Sequence, residues 1–177
     1  RGAHILFPEK KRRYAFMDRN QEKKRDIIRY TGHIAGTLTV GGLSALLSRG
    51  GMEVFSHLKK PPFAPPDWVF PTAWTLLYIL MAISVAMIAG ERTKNSRDAL
   101  FTYWAQLFVN FWWSIFFFAW GLRLTAFFWL LLLLALAAAM AIRFGKIRPI
   151  AGKMNIPYLL WLVFAGVLNI SVYILNK

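Results

Sequence analysis

Two apolar stretches of this chain carry amides, phenols and indoles at helical spacing. Tyr103, Gln106, Asn110, Trp113 and Phe117 advance by 3, 4, 3 and 4, which puts them on one helical face. Tyr158, Trp161, Ala165 and Asn169 advance by 3, 4 and 4 and do the same, and Trp74 and Tyr78, four apart, begin a third stripe. Faces of this kind stack flat rings on indole and orient them with a few fixed hydrogen bonds. They are not suited to ordinary acid-base or nucleophilic catalysis, because no carboxylate or Lys accompanies them. The absence of Cys excludes a thiolate metal site, a cysteine nucleophile and a disulfide scaffold. The amides have two readings: interhelical glue, worth about 0.6 kcal/mol each in a bilayer, or the polar groups of a binding site.

The elements that must position these residues follow from composition. Of 177 residues, 57% are hydrophobic and 16% aromatic, and the mean hydropathy is +0.42, which excludes a disordered chain and allows one domain of ordinary size. Five apolar stretches, at about 30–48, 69–89, 99–120, 124–142 and 156–176, contain no Asp, Glu, Lys or Arg. Each is near the ~20 residues that cross ~30 Å of hydrocarbon. A soluble helical protein needs charged helix faces, and these stretches have none. The expected fold class is an all-α integral membrane protein, a bundle of five transmembrane helices. The domain division is a basic tail over 1–29 and a membrane domain over 30–177.

The charges are sorted by segment. There are 22 Lys and Arg against 8 Asp and Glu, a net charge of +14. With the amino terminus inside, 17 basic residues fall on the inner side and five on the outer: Arg49, Lys59, Lys60, Arg123 and Lys177. The excess therefore orients the helices, N-terminus inside and C-terminus outside, and no nucleic-acid partner is expected. Residues 1–29 read as a cytoplasmic tail against anionic lipid headgroups. Met17 is an expected start, with 1–16 a leader or vector-derived extension. No signal-peptide pattern is present.

Tryptophan depth singles out three positions. Trp68, Trp104, Trp120 and Trp129 fit an interfacial belt near span ends. Trp74, Trp113 and Trp161 lie roughly 5 to 8 Å from the midplane, too deep for a belt. With Tyr78, Asn110 and Asn169 they describe a cavity open toward the outer side. The connection over 49–68, with Pro61, Pro62, Pro65 and Pro66, lies over that side as a stiff flap or a mere linker. Gly32, Gly36, Gly41, Gly42, Ser44 and Ala45 mark span one as a close-packing helix. His33 and His57 are not deep in a span, so neither is expected as an axial haem ligand, and no metal or cofactor is expected.

Three blocks of sequence, 60–78, 106–113 and 157–169, closely resemble the TspO/MBR family of tryptophan-rich sensory and translocator proteins. They hold Lys60-Pro61-Pro62-Phe63-Ala64-Pro65-Pro66-Asp67-Trp68, Trp74 and Tyr78; Gln106, Asn110 and Trp113; and Pro157, Tyr158, Trp161, Ala165 and Asn169. The resemblance implies a five-helix bundle, often a homodimer, in a bacterial cell membrane, that binds porphyrins, related tetrapyrroles and other flat hydrophobic ligands. Carried over by motif, Trp74, Asn110, Trp113, Ala165 and Asn169 stand at pocket positions, with Trp161 a turn below. Tryptophans resembling Trp74 and Trp161 are implicated in light- and oxygen-dependent porphyrin breakdown in some members. Departures include Val54-Phe55 where an aromatic pair is frequent, and Thr125 in place of a pocket Trp in span four. A cholesterol-type pattern, Leu168, Tyr173 and Lys177, is present but weakly specific.

These readings give one leading function and two alternatives. The leading one is a membrane receptor or sensor binding porphyrin through Trp74, Tyr78, Gln106, Asn110, Trp113, Trp161, Ala165 and Asn169. The first alternative is a photo-oxidative porphyrin-degrading enzyme with Trp74 and Trp161 as its candidates. The second is a facilitative transporter, since a coupled pump needs intramembrane ionisable groups that the spans lack.

Overall fold

Residues 6–177 are described by a computed structural model, and among them every regular element is helical. Helix α1 (Leu6–Leu47) runs unbroken for 42 residues. Its first part is charged and its last part, from Tyr30, is apolar, so the polar tail passes into the first span without a break. Helix α2 (Arg49–Ser56) follows at once. The connection over 49–68 therefore opens with two turns of helix, and only its second part, where the prolines begin, is irregular.

Helix α3 (Val69–Ala89) is apolar throughout and ends at Gly90. Arg92, at φ +48°, turns the chain. Thr93 and Ser96 then start α4 (Lys94–Ser114) with a reciprocal capping box: Ser96 N–H donates to Thr93 Oγ1 at 3.1 Å and Thr93 N–H to Ser96 Oγ at 2.8 Å. Helix α4 runs on into a π-helical turn, Ile115–Ala119, closed by Gly121 at φ +63°, a conformation that favours glycine. Helices α5 (Arg123–Ile147), α6 (Pro149–Lys153) and α7 (Ile156–Leu175) complete the chain. Pro149 and Pro157 stand in the first turns of α6 and α7, where a missing N–H costs nothing.

Among the described residues, α3, α5 and the stretch Pro149–Leu175 are long and apolar enough to cross a membrane by length and composition. The other two long helices have their charges inside the helical range. Helix α1 becomes apolar only from Tyr30, and α4 opens with Lys94, Arg97 and Asp98 while its apolar run continues into the π turn. Helix α4 lies along α5, α1 along α3, and α5 along α7, giving the expected five-helix bundle.

The core joins Met81, Val85 and Ile88 of α3 to Tyr103 of α4, Met140 of α5 and Leu162 of α7. Outside it, Leu76, Phe108, Phe128 and Leu160 are all more than half exposed, an arrangement suited to hydrocarbon rather than water. Trp68, Trp104 and Trp120 are exposed as a belt requires. Trp129 differs: its Nε1–H donates to the Val109 carbonyl at 2.8 Å and ties α5 to α4. An indole buried in lipid needs an acceptor, and here a backbone carbonyl supplies it.

The proline segment is fastened down at both ends. Lys59 N–H donates to Asn176 Oδ1 at 3.0 Å, and Asn176 Nδ2 donates back to the Lys59 carbonyl at 2.9 Å. Lys60 pairs with Asp67 at 2.7 Å, and Phe63 meets Phe164 of α7 edge-on at 6.4 Å. The segment thus rests on the end of α7.

Candidate functional site

Trp74 of α3 is the centre of the aromatic contacts. Its ring lies 5.6 Å from Tyr78, 5.8 Å from Trp113, 6.3 Å from Tyr158 and 6.4 Å from Trp161, centroid to centroid. Trp113 in turn stacks on Phe117 at 5.6 Å with an interplanar angle of 16°. These rings come from α3, α4, the π turn and α7, so the stripes seen along the sequence do converge.

Trp74, Tyr78, Asn110 and Trp113 line one cavity of about 340 Å³. Its other walls are Leu38, Gly41, Gly42 and Ala45 of α1, Met52 of α2 and Phe118 of the π turn. The small residues of α1 therefore do more than pack. A Cβ at Gly41 would overlap the Tyr78 ring, while one at Gly42 would meet no atom within 4 Å. Ser44 Oγ donates to the Phe111 carbonyl at 3.1 Å, and the Ser48 and Ser114 hydroxyls are 3.1 Å apart, fixing α1 to α4 beside the cavity. The part of the 49–68 connection that reaches the cavity is α2, through Arg49 and Met52, and not the proline segment. Helix α2 sits against the π turn with backbone almost touching: a Cβ at Gly51 would overlap the Phe118 carbonyl.

One wall is backed by a hydrogen-bonded chain through three helices. Tyr78 Oη donates to Asn110 Oδ1 at 2.8 Å, Asn110 Nδ2 donates to Tyr158 Oη at 2.8 Å, and Tyr158 Oη donates to Gln106 Oε1 at 2.9 Å. Gln106 Nε2 ends the chain on the Met81 sulfur at 3.7 Å. All four polar side chains are buried, so each bond also removes the cost of an unpaired group in an apolar interior. The amides are thus structural glue and, at Asn110, cavity wall as well.

The other expected site residues are placed elsewhere. Gln106 is fully buried behind the wall. Trp161 lies on the far side of Trp74, in a shallow apolar groove of about 470 Å³ with Ala73, Leu76, Leu80, Leu160 and Phe164. Ala165 is packed in the second core cluster with Trp113 and Phe117. Asn169 Nδ2 donates to the Arg123 carbonyl at 2.8 Å and ties α7 to the start of α5. Of the cholesterol-type pattern, Leu168 is 3% exposed inside the same cluster, so it faces protein rather than lipid.

Besides α2 and the π turn, two contributors were not among the expected site residues. Tyr158, on the stripe of α7, is the link that carries the chain from Asn110 to Gln106. The α1 face is the other, and its signal was present: Leu38, Gly41, Ala45 and Ser48 advance by 3, 4 and 3. Its small residues have the same spacing whether they admit another helix or a ligand.

Residues 33–175 match the TspO/MBR family. The chain is 41% identical over 140 residues to Protein CrtK of Rhodobacter capsulatus, covering 77% of this chain and 85% of that protein. It is 36% identical over 124 residues to a Tryptophan-rich sensory protein of Cereibacter sphaeroides, covering 70% and 77%. It is 38% identical over 133 residues to a Translocator protein of Bos taurus, covering 73% and 79%.

Proposed function

The chain belongs to the TspO/MBR family, and from that premise we propose that it is a membrane receptor or sensor that binds a porphyrin or a similar flat hydrophobic molecule in the cavity between α1, α3 and α4. The observation that carries the reading is the cavity wall itself. Trp74, Tyr78 and Trp113 present three aromatic rings around about 340 Å³, and Asn110 contributes a buried amide held on both sides by tyrosines. Aromatic walls with one or two fixed polar groups favour a flat, mostly apolar ligand. The names of two relatives, sensory protein and translocator protein, agree with a receptor or sensor role. The protein is integral to the membrane, and we place it in a bacterial cell membrane with its N-terminus inside. Titration of the purified protein with protoporphyrin, read by quenching of tryptophan fluorescence, tests the reading. Trp74→Phe and Asn110→Ala should each weaken binding about tenfold. Unchanged affinity in both variants overturns the site.

A second reading is favoured by the contact between Trp74 and Trp161. It joins a cavity-wall indole to one in the outer groove, and indoles in contact are suited to photo-oxidative chemistry on a bound porphyrin. In this reading Trp74 touches the substrate and Trp161 acts through it.

A further inference from the structure

Three apolar segments reach their polar boundary at the end of the bundle opposite the cavity: α1 at Tyr30, α3 at Ala89 and α5 at Ile142. Met87, which lines a cleft at this end, lies thirteen residues beyond Trp74 on α3, about 20 Å along the helix axis, so this end is separate from the ligand cavity. There the helices leave a cleft of about 420 Å³ lined by Arg25 and Arg29 of α1, Gly90 and Arg92 of the α3–α4 turn, and Arg148 at the α5–α6 junction. Glu22 and Asp26 complete its rim on the α1 side, and Glu91 pairs with Arg148 beside it, so four guanidinium groups meet three carboxylates, an excess of one positive charge. We propose that this cleft binds a phosphate group, and that its source is the headgroup of a membrane phospholipid.

The guanidinium groups are arranged for such a ligand. Arg25 and Arg29 are four apart on α1 and so share a face. Asp26 takes Nη2 of Arg29 at 2.9 Å and fixes its orientation, while Nε of Arg29 is buried with no hydrogen-bond partner. The same guanidinium is seated against the backbone of Gly90, where an added Cβ would be 2.8 Å from Nη1. Glu91 holds Arg148 Nε at 2.5 Å, orienting the second guanidinium from the opposite wall. Arg25 and Arg92 are exposed and make no ion pair among the described residues. The two carboxylate contacts thus set the geometry of Arg29 and Arg148, and the remaining guanidinium donors are suited to phosphate oxygens, which accept from Arg in paired geometry. The level of the cleft decides the source. It opens where the hydrocarbon ends, at the depth of lipid phosphates, on the side with the excess of basic residues.

The test uses the full chain in a neutral detergent, with bound lipid counted by native mass spectrometry. Phosphatidylglycerol is one probe and inorganic phosphate the other. The double variant Arg25→Gln/Arg92→Gln changes two exposed side chains and leaves packing alone, and Arg29→Gln is the second variant. Arg97→Gln/Lys153→Gln, exposed and outside the cleft, is the control. Phosphatidylglycerol affinity should fall about tenfold or more in the cleft variants and change less than about twofold in the control. If inorganic phosphate shows this pattern and the lipid does not, the phosphate site stands and its source is soluble. Equal binding of both probes by wild type and cleft variants, or an equal loss in the control, overturns the proposal.

Discussion

The indoles of Trp74 and Trp161 meet edge to face, 6.4 Å between centroids and 86° between planes. One lines the cavity between α1, α3 and α4, and the other the shallow groove between α3 and α7. Affinity and photochemistry should therefore separate. Trp161→Phe is expected to leave protoporphyrin affinity within about twofold while slowing the bleaching of bound protoporphyrin under light and oxygen. Equal bleaching rates in the two proteins would remove the degradative reading and leave the receptor reading untouched.

Asn110 makes two of the three hydrogen bonds that join Tyr78, Tyr158 and Gln106. Asn110→Ala removes both and strands the Tyr78 hydroxyl in an apolar interior, while Tyr158 keeps its bond to Gln106. The expected cost is about 1–3 kcal/mol, toward the lower end in a membrane protein. Gln106→Leu removes one acceptor and a weak sulfur contact, and it should cost less. Thermal unfolding in a common detergent checks the order: the Asn110 variant should melt several degrees lower than the Gln106 variant.

Glycine contacts give paired predictions. Gly51→Ala drives a Cβ into the Phe118 carbonyl, a backbone atom that cannot swing away, whereas Gly50→Ala meets nothing within 4 Å. The first should lower the yield of folded protein or its melting temperature sharply, and the second should be neutral in the same assay. Gly41→Ala meets the Tyr78 ring, which is buried and held by Asn110, so it should displace that ring and weaken ligand binding together with the fold.

Orientation is open to a simple measurement because the chain has no Cys. A membrane-impermeant maleimide applied to intact cells should label His57→Cys and not Lys94→Cys, and permeabilised cells should give label at both. The reverse pattern would invert the topology drawn from the basic residues.

The five helices were legible because charge-free runs of near-spanning length leave little alternative, and the stripes were legible because 3–4 spacing fixes which residues share a face. Convergence on Trp74 follows from that spacing. What the spacing could not give is the angle between helices. It left Trp161, Ala165 and Asn169 on the same footing as Trp113, although packing sends Trp161 to an outer groove and Asn169 to the Arg123 carbonyl. Helix α2 was hidden by the prolines that follow it, which gave the whole connection an irregular character. The π turn, which brings Phe118 to the cavity, leaves no mark in a run of four successive apolar residues from Ile115 to Phe118.

The central claim is that the ligand occupies the cavity between α1, α3 and α4 rather than the groove beside α7. Gly42 lines that cavity with open space before it, and Ala73 lines the groove. A large side chain at either position fills one space and leaves the other. The deciding measurement is the protoporphyrin dissociation constant of Gly42→Phe and Ala73→Phe against wild type, in the same detergent. Loss of at least about tenfold in affinity for Gly42→Phe, with Ala73→Phe near wild type, is the predicted result. Wild-type affinity in Gly42→Phe, with loss in Ala73→Phe, would contradict it.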